Sequence, residues 1–168
     1  EPAASLWRTR ADTVRARVLE RGWSDKLGSF VDVYDGCGAA ASVLLLPEIG
    51  LVAYDDPRFL GTLAFLERRL RRGDFLARYD RADDFGAPTV AFNLCTFWYI
   101  NALAGVGRMD EARQLFESML ARCNHVGLLS EDIDPGSGEL WGNFPQTYSL
   151  VGIVNAAMRL SKPWESAL

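Results

Sequence analysis

Ala91-Phe-Asn-Leu-Cys-Thr-Phe-Trp-Tyr-Ile-Asn-Ala-Leu-Ala-Gly-Val106, followed after a short link at Gly107 by Met109-Asp-Glu-Ala-Arg-Gln-Leu-Phe-Glu-Ser-Met-Leu-Ala-Arg-Cys123, decides the fold. The first segment is apolar almost all round, interrupted by Asn93, Thr96 and Asn101, and a helix of that kind must be covered on every side. The second carries a single stripe, Ala112, Leu115, Phe116, Met119, Leu120 and Cys123, and so buries one face only. An inner helix is therefore joined to an outer one by a minimal turn.

The same alternation extends in both directions. Upstream, Ala4 to Arg21 has Trp7, Ala11, Val14 and Val18 on one face, with Arg8, Arg10, Arg15, Arg17 and Glu20 on the other. Gly38 to Leu46 reads as a short apolar helix that Pro47 kinks or ends. Asp56-Pro57 caps a third helix with the stripe Phe59, Leu63, Leu66 and Leu70. Downstream, about Pro145 to Leu160 is apolar again. Six helices that alternate outer and inner describe three αα-hairpins side by side, an all-α class with one layer inside the other.

The links divide into two kinds. Inner-to-outer links are short, whereas the outer-to-inner links run to about 16, 18 and 20 residues, lengths that in compact domains usually carry function. The long loops share a phrase. Gly28-Ser-Phe-Val-Asp-Val-Tyr-Asp35 is echoed 45 residues later by Gly73-Asp-Phe-Leu-Ala-Arg-Tyr-Asp80 and, more loosely, by Gly127-Leu-Leu-Ser-Glu-Asp-Ile-Asp134. Their alternating apolar residues predict a short extended segment in each loop. Three pairs do not close a ring, so two apolar edges await a partner: a further part of a longer chain, or a second copy about the barrel axis.

Composition narrows the function classes. A net charge of −4 supplies no basic face for nucleic acid or anionic lipid. No apolar run is long enough to span a bilayer, and no signal-peptide pattern opens the chain. Cys37, Cys95 and Cys123 are a sparse, odd set. Cys95 and Cys123 lie in apolar helical patterns as ordinary buried thiols, which favours a cytoplasmic setting. His125, the one histidine, reads as a helix-end or loop residue, and no zinc spacing appears. The run Arg68-Arg69-Leu70-Arg71-Arg72 reads as a solvated face whose cations stabilise a helix C-terminus.

The long-loop face carries Asp32, Tyr34, Asp35, Arg78, Tyr79, Asp80, Asp83, Asp84, Glu131, Asp132, Asp134, Trp141, Asn143, Gln146 and Tyr148. Carboxylates, amides, an arginine and aromatic plates suit a neutral polyhydroxyl ligand. Phosphate-cradling glycine motifs are absent.

The stretch Gly127-Leu-Leu-Ser-Glu-Asp-Ile-Asp-Pro-Gly-Ser-Gly-Glu-Leu-Trp-Gly-Asn-Phe-Pro-Gln-Thr-Tyr-Ser149 resembles the C-terminal motif of glycoside hydrolase family fifteen, the glucoamylases, glucodextranases and a branch of trehalases. Leu45-Leu-Pro-Glu-Ile-Gly50, Asp55-Asp-Pro-Arg-Phe59, Leu76-Ala-Arg-Tyr79, Phe92-Asn-Leu-Cys-Thr-Phe-Trp98 and Gly107-Arg-Met-Asp-Glu-Ala112 are similar to its other signatures, in order. The resemblance implies that residues 1–168 form a single domain, the C-terminal half of an (α/α)6 toroid from an enzyme that inverts at α-glucosides, a glucan or trehalose. It implies Glu131 as general base, Arg78 as a residue that binds substrate hydroxyls and Tyr148 as an aromatic pocket wall, and Tyr79 and Trp141 are read as further substrate-binding residues.

No metal or cofactor is expected in the chemistry, although some trehalases of the family depend on phosphate or magnesium. The family's general acid lies in the half not represented here, so this chain alone is expected to be inactive. Gly38-Ala-Ala-Ala41 and Ala87-Pro-Thr-Val90 stand where relatives carry acidic residues. The other reading is a non-catalytic helical-repeat module that binds glycan or a protein partner, or closes a ring as a dimer.

Overall fold

A computed structural model describes residues 2–84 and 86–161. The described residues form five α-helices: α1 (Pro2–Arg21), α2 (Pro57–Leu70), α3 (Asn93–Gly105), α4 (Met109–Leu120) and α5 (Thr147–Leu160). Seven two-residue strands lie between them. β1 (Trp23–Ser24) pairs with β2 (Ser29–Phe30), and β3 (Arg71–Arg72) with β4 (Phe75–Leu76). β5 (Ala91–Phe92), β6 (Asp132–Ile133) and β7 (Leu140–Trp141) form a three-stranded antiparallel sheet.

Helix α3 is the centre. Phe97, Ile100 and Leu103 are completely buried, and the helix packs against α4, α5 and the segment around Val43. The amphipathic helices behave as their stripes require: α2 buries Phe59, Leu63, Leu66 and Leu70, and α4 buries Ala112, Leu115 and Met119. Asp56 caps α2, its Oδ1 accepting the Arg58 N–H at 2.8 Å, with Pro57 at the first helical position.

Four expectations need correction. The apolar stretch from Gly38 is a 3-10 turn over Ala41–Leu45, not an α-helix. Its bonds are of the i to i+3 kind, Val43 N–H to Ala40 O and Leu46 N–H to Val43 O. Pro47 has no N–H to offer the Val43 carbonyl and its ring crowds that position, so an α-helix cannot grow through it. Ala91 and Phe92 belong to strand β5, because their backbone pairs with β6 before α3 begins. The stripe of α1 is uncovered over most of its length, with Trp7 and Val14 exposed. On α5, expected to be enclosed, Val151, Val154 and Met158 are exposed, since nothing among the described residues packs on that side.

The repeated phrase has a structural counterpart. Gly28 and Gly73 sit at φ 61° and 62° in the turns of the first two hairpins. After each turn a backbone N–H enters the next helix. Phe30 N–H donates to Thr62 Oγ1 of α2 at 2.9 Å, and Leu76 N–H donates to Thr96 Oγ1 of α3 at 3.0 Å. The third copy contributes strand β6.

The basic run that spans the end of α2 and β3 is more structured than a solvated face. Arg69 pairs with Asp80, and Arg72 caps the carbonyls of Arg69 and Arg71. Arg71 joins a half-buried network with Glu111, Tyr99, Glu67 and Arg108 that ties α2, α3 and α4 together. No helix among the described residues is long and apolar enough to cross a membrane.

Candidate active site

The segment Leu129–Asp132 is threaded between the N-termini of α3 and α5. The Asn93 N–H donates to the Glu131 carbonyl at 2.9 Å, while Asn93 Nδ2 and Ser149 Oγ both donate to the Ser130 carbonyl, at 2.9 and 2.7 Å. Ser130 Oγ turns forward to the Asp132 carbonyl at 2.6 Å. Asn93, Ser130 and Ser149 are all buried, so this stretch is fixed by buried hydrogen bonds, although Asn93 Oδ1 itself has no partner among the described residues. Two helix N-termini beside it favour negative charge there.

Glu131 is held through one oxygen. Its Oε2 accepts the Asn143 backbone N–H at 3.1 Å and Asn143 Nδ2 at 2.8 Å. The Glu131 N–H in turn donates to the Asn143 carbonyl at 2.9 Å. Oε1 has no protein partner among the described residues. Gly142, at φ +77°, lets the neighbouring chain pass. A Cβ there would stand 2.9 Å from the Glu131 Cβ, 3.0 Å from its Oε2 and 3.1 Å from Asp132 Oδ2.

Glu131 and Asp132 line a small cavity of about 180 Å³ with Arg78, Tyr79, Pro88, Val90 and Phe92. The Arg78 guanidinium lies over the rings of both Tyr79 and Phe92, at 5.7 and 5.6 Å from their centroids. Burial, reinforced by the charge of Glu131 and opposed by that of Arg78, pushes the Asp132 carboxyl up to about 6. The cavity thus combines a fixed carboxylate with one open oxygen, a second carboxyl, a cation and aromatic surface.

Three of the residues read from the sequence meet here: Arg78, Tyr79 and Glu131. Trp141 is not in the cavity wall; it is exposed on β7 opposite Asp132. Tyr148 is exposed in the first turn of α5, also outside the lining. Most other acids of this face are engaged by protein partners. Asp32 pairs with Arg81, Asp35 with Arg21, and Asp80 with Arg69, while Asp83 accepts the Tyr79 hydroxyl. Asp134 accepts the N–H groups of Gly136 and Ser137 at 2.7 and 3.0 Å.

Sequence reading placed Asp132 and Asn143 on this face without giving either a part in the site. Their signal was position alone: one is next to Glu131, the other two residues beyond Trp141. Cys95 is buried, and burial pushes its thiol up to about 12, which leaves it unreactive. His125 is exposed in a turn. Among the described residues no group of three or more His, Cys, Asp and Glu is placed to hold a metal ion.

The helical scaffold brings two carboxyls, an arginine and aromatic rings together around one small cavity. The profile of Glycosyl hydrolases family 15 matches residues 1–158, and this chain belongs to that family. A trehalase of Thermoplasma volcanium is 38% identical over 157 residues, covering 93% of this chain and 25% of the relative. A trehalase of Mycobacterium tuberculosis is 31% identical over 167 residues, covering 98% and 24%. A glycosidase structure superposes with a TM-score of 0.77 at 23% identity, covering 94% of this chain and 44% of that one. A variant glycosidase in complex with glucose gives the same score at 22% identity. These structures share the fold. The chain spans about a quarter of the length of the curated relatives it matches.

Proposed function

We propose that this chain is the base-bearing part of an inverting glycoside hydrolase that acts on an α-glucoside, with trehalose the substrate its relatives favour. The observation that carries the proposal is the asymmetric holding of Glu131: Asn143 fixes Oε2, and Oε1 is left to take a proton from water. In an inverting reaction the water oxygen attacks the anomeric carbon as Glu131 removes its proton. A second carboxylic acid protonates the departing glycosidic oxygen from the opposite side, across a gap of roughly 6.5–9.5 Å. Arg78 and Tyr79 bind sugar hydroxyls and ring, and Trp141 and Tyr148 are walls completed on the open side of the basin.

The general acid belongs to the remainder of an (α/α)6 toroid, of which this chain, as one domain, is the C-terminal half. The uncovered faces of α1 and α5 are where that remainder packs. The test is to measure trehalose hydrolysis by the isolated chain and by a chimera in which it replaces the matched stretch of the Thermoplasma volcanium trehalase. Turnover by the chimera and none by the isolated chain is expected. Equal turnover by both would contradict the half-site reading.

A second reading takes its support from the same uncovered faces. It makes the chain a non-catalytic module that closes on itself as a dimer. A sedimentation measurement showing a stable dimer, with an inert chimera, would favour it.

A further inference from the structure

We propose that Asp132, together with Arg78, clamps two neighbouring hydroxyls of the sugar, and that Asp132 is a specificity-determining contact in its own right. The inference rests on the reading of the cavity as a sugar site. Both side chains line the same small cavity and feel each other's charge, yet they do not pair directly. Most acids around them are spent on protein partners, whereas the Asp132 carboxyl has no hydrogen-bond partner among the described residues despite being about half buried. Its oxygens are open to solvent in the cavity, and a sugar hydroxyl can take the place of a water there.

The Arg78 guanidinium is oriented by the Tyr79 and Phe92 rings and meets no protein acceptor among the described residues. An acceptor and a donor facing one space match a vicinal diol: one hydroxyl donates to Asp132, and its neighbour accepts from Arg78. Glu131 is excluded from this task at Oε2 by its two bonds from Asn143. The clamp therefore orients the ring while leaving Oε1 of Glu131 for water. Gly142, at φ +77° and with its Cβ position 2.9 Å from Glu131 Cβ and 3.1 Å from Asp132 Oδ2, lets the chain pass close to both carboxylates.

The test is a nuclear magnetic resonance titration of the 168-residue chain with D-glucose, following backbone amides of the wild type, Asp132→Asn and Asp132→Ala. Glucose is expected to shift amides around Arg78 and Asp132. Asp132→Ala should weaken binding about tenfold, and Asp132→Asn, which keeps an acceptor of the same size, by less. Should Asp132→Ala fail to fold, wild-type binding of 2-deoxyglucose and 3-deoxyglucose serves instead, with at least one expected to bind about tenfold more weakly than glucose. Unchanged affinity in Asp132→Ala, equal affinity for all three sugars, or no binding of glucose by the wild type would overturn the clamp. None of those results bears on Glu131, whose part is judged by turnover of the chimera.

Discussion

Asn143 grips a single oxygen of Glu131 with two donors, its backbone N–H and its side-chain amide, and leaves the other oxygen open. The grip is reciprocal, since the Glu131 N–H donates back to the Asn143 carbonyl. A side chain held this way keeps the lone pairs of Oε1 free in a fixed position, which is what a proton acceptor needs.

Asn143→Ala removes the Nδ2 bond and keeps the backbone one, so Glu131 gains freedom without losing its place. In the chimera with the Thermoplasma volcanium trehalase, kcat for trehalose should fall by about 10²-fold, while thermal stability changes little. Steady-state kinetics paired with a melting curve checks this; an unchanged kcat would remove Asn143 from the account.

Asp132 gives a pH signature. Its carboxyl is raised from an ordinary 3.8 to about 6, so the folded protein binds the proton more tightly than the unfolded chain does. Its contribution to stability is therefore greatest below 3.8, declines as pH rises to about 6, and stays lost above. Glu111, held below its ordinary range by Arg108 and Arg71, contributes in the opposite sense. The difference between wild type and Asp132→Asn isolates the effect. The variant should gain in melting temperature relative to wild type as pH rises across this window. A constant difference would show that Asp132 titrates normally.

Helices α2, α3 and α4 are cross-linked by the network of Glu67, Arg71, Tyr99, Arg108 and Glu111. Glu111→Gln leaves Arg71 without a carboxylate partner and Arg108 with Glu67 alone, and the partial exposure of the group moderates the loss. Chemical denaturation should show a loss of about 1–2 kcal/mol, with the sugar-site amides unmoved. A neutral result would mean that solvent screens the whole network.

The parts of the fold that were legible in the sequence are those governed by local rules. The stripe of α2, its Asp56-Pro57 start, the enclosure of α3 and the shared loop phrase all follow from periodicity and capping. The turn over Ala41–Leu45 departs from the helix its apolar composition suggests because Pro47 has no N–H to extend an α-helical ladder. The exposure of α1 and α5 is not a local property at all; it depends on what covers them.

Around the cavity, Glu131 and Arg78 stand in stretches that the family motifs single out. Asn143 was not, since its bond to Glu131 spans 12 residues and depends on the turn at Gly142. Asp132 was hidden because its behaviour comes from half-burial beside another carboxylate, which sequence adjacency does not reveal.

The most direct test of the central claim is the rate of trehalose hydrolysis by the chimera with Glu131→Gln, set against the unaltered chimera. If Glu131 removes the proton from the attacking water, the rate falls by about 10²- to 10⁴-fold, with the fold intact by circular dichroism. A rate within a few-fold of the unaltered chimera would contradict it and move the base to another residue.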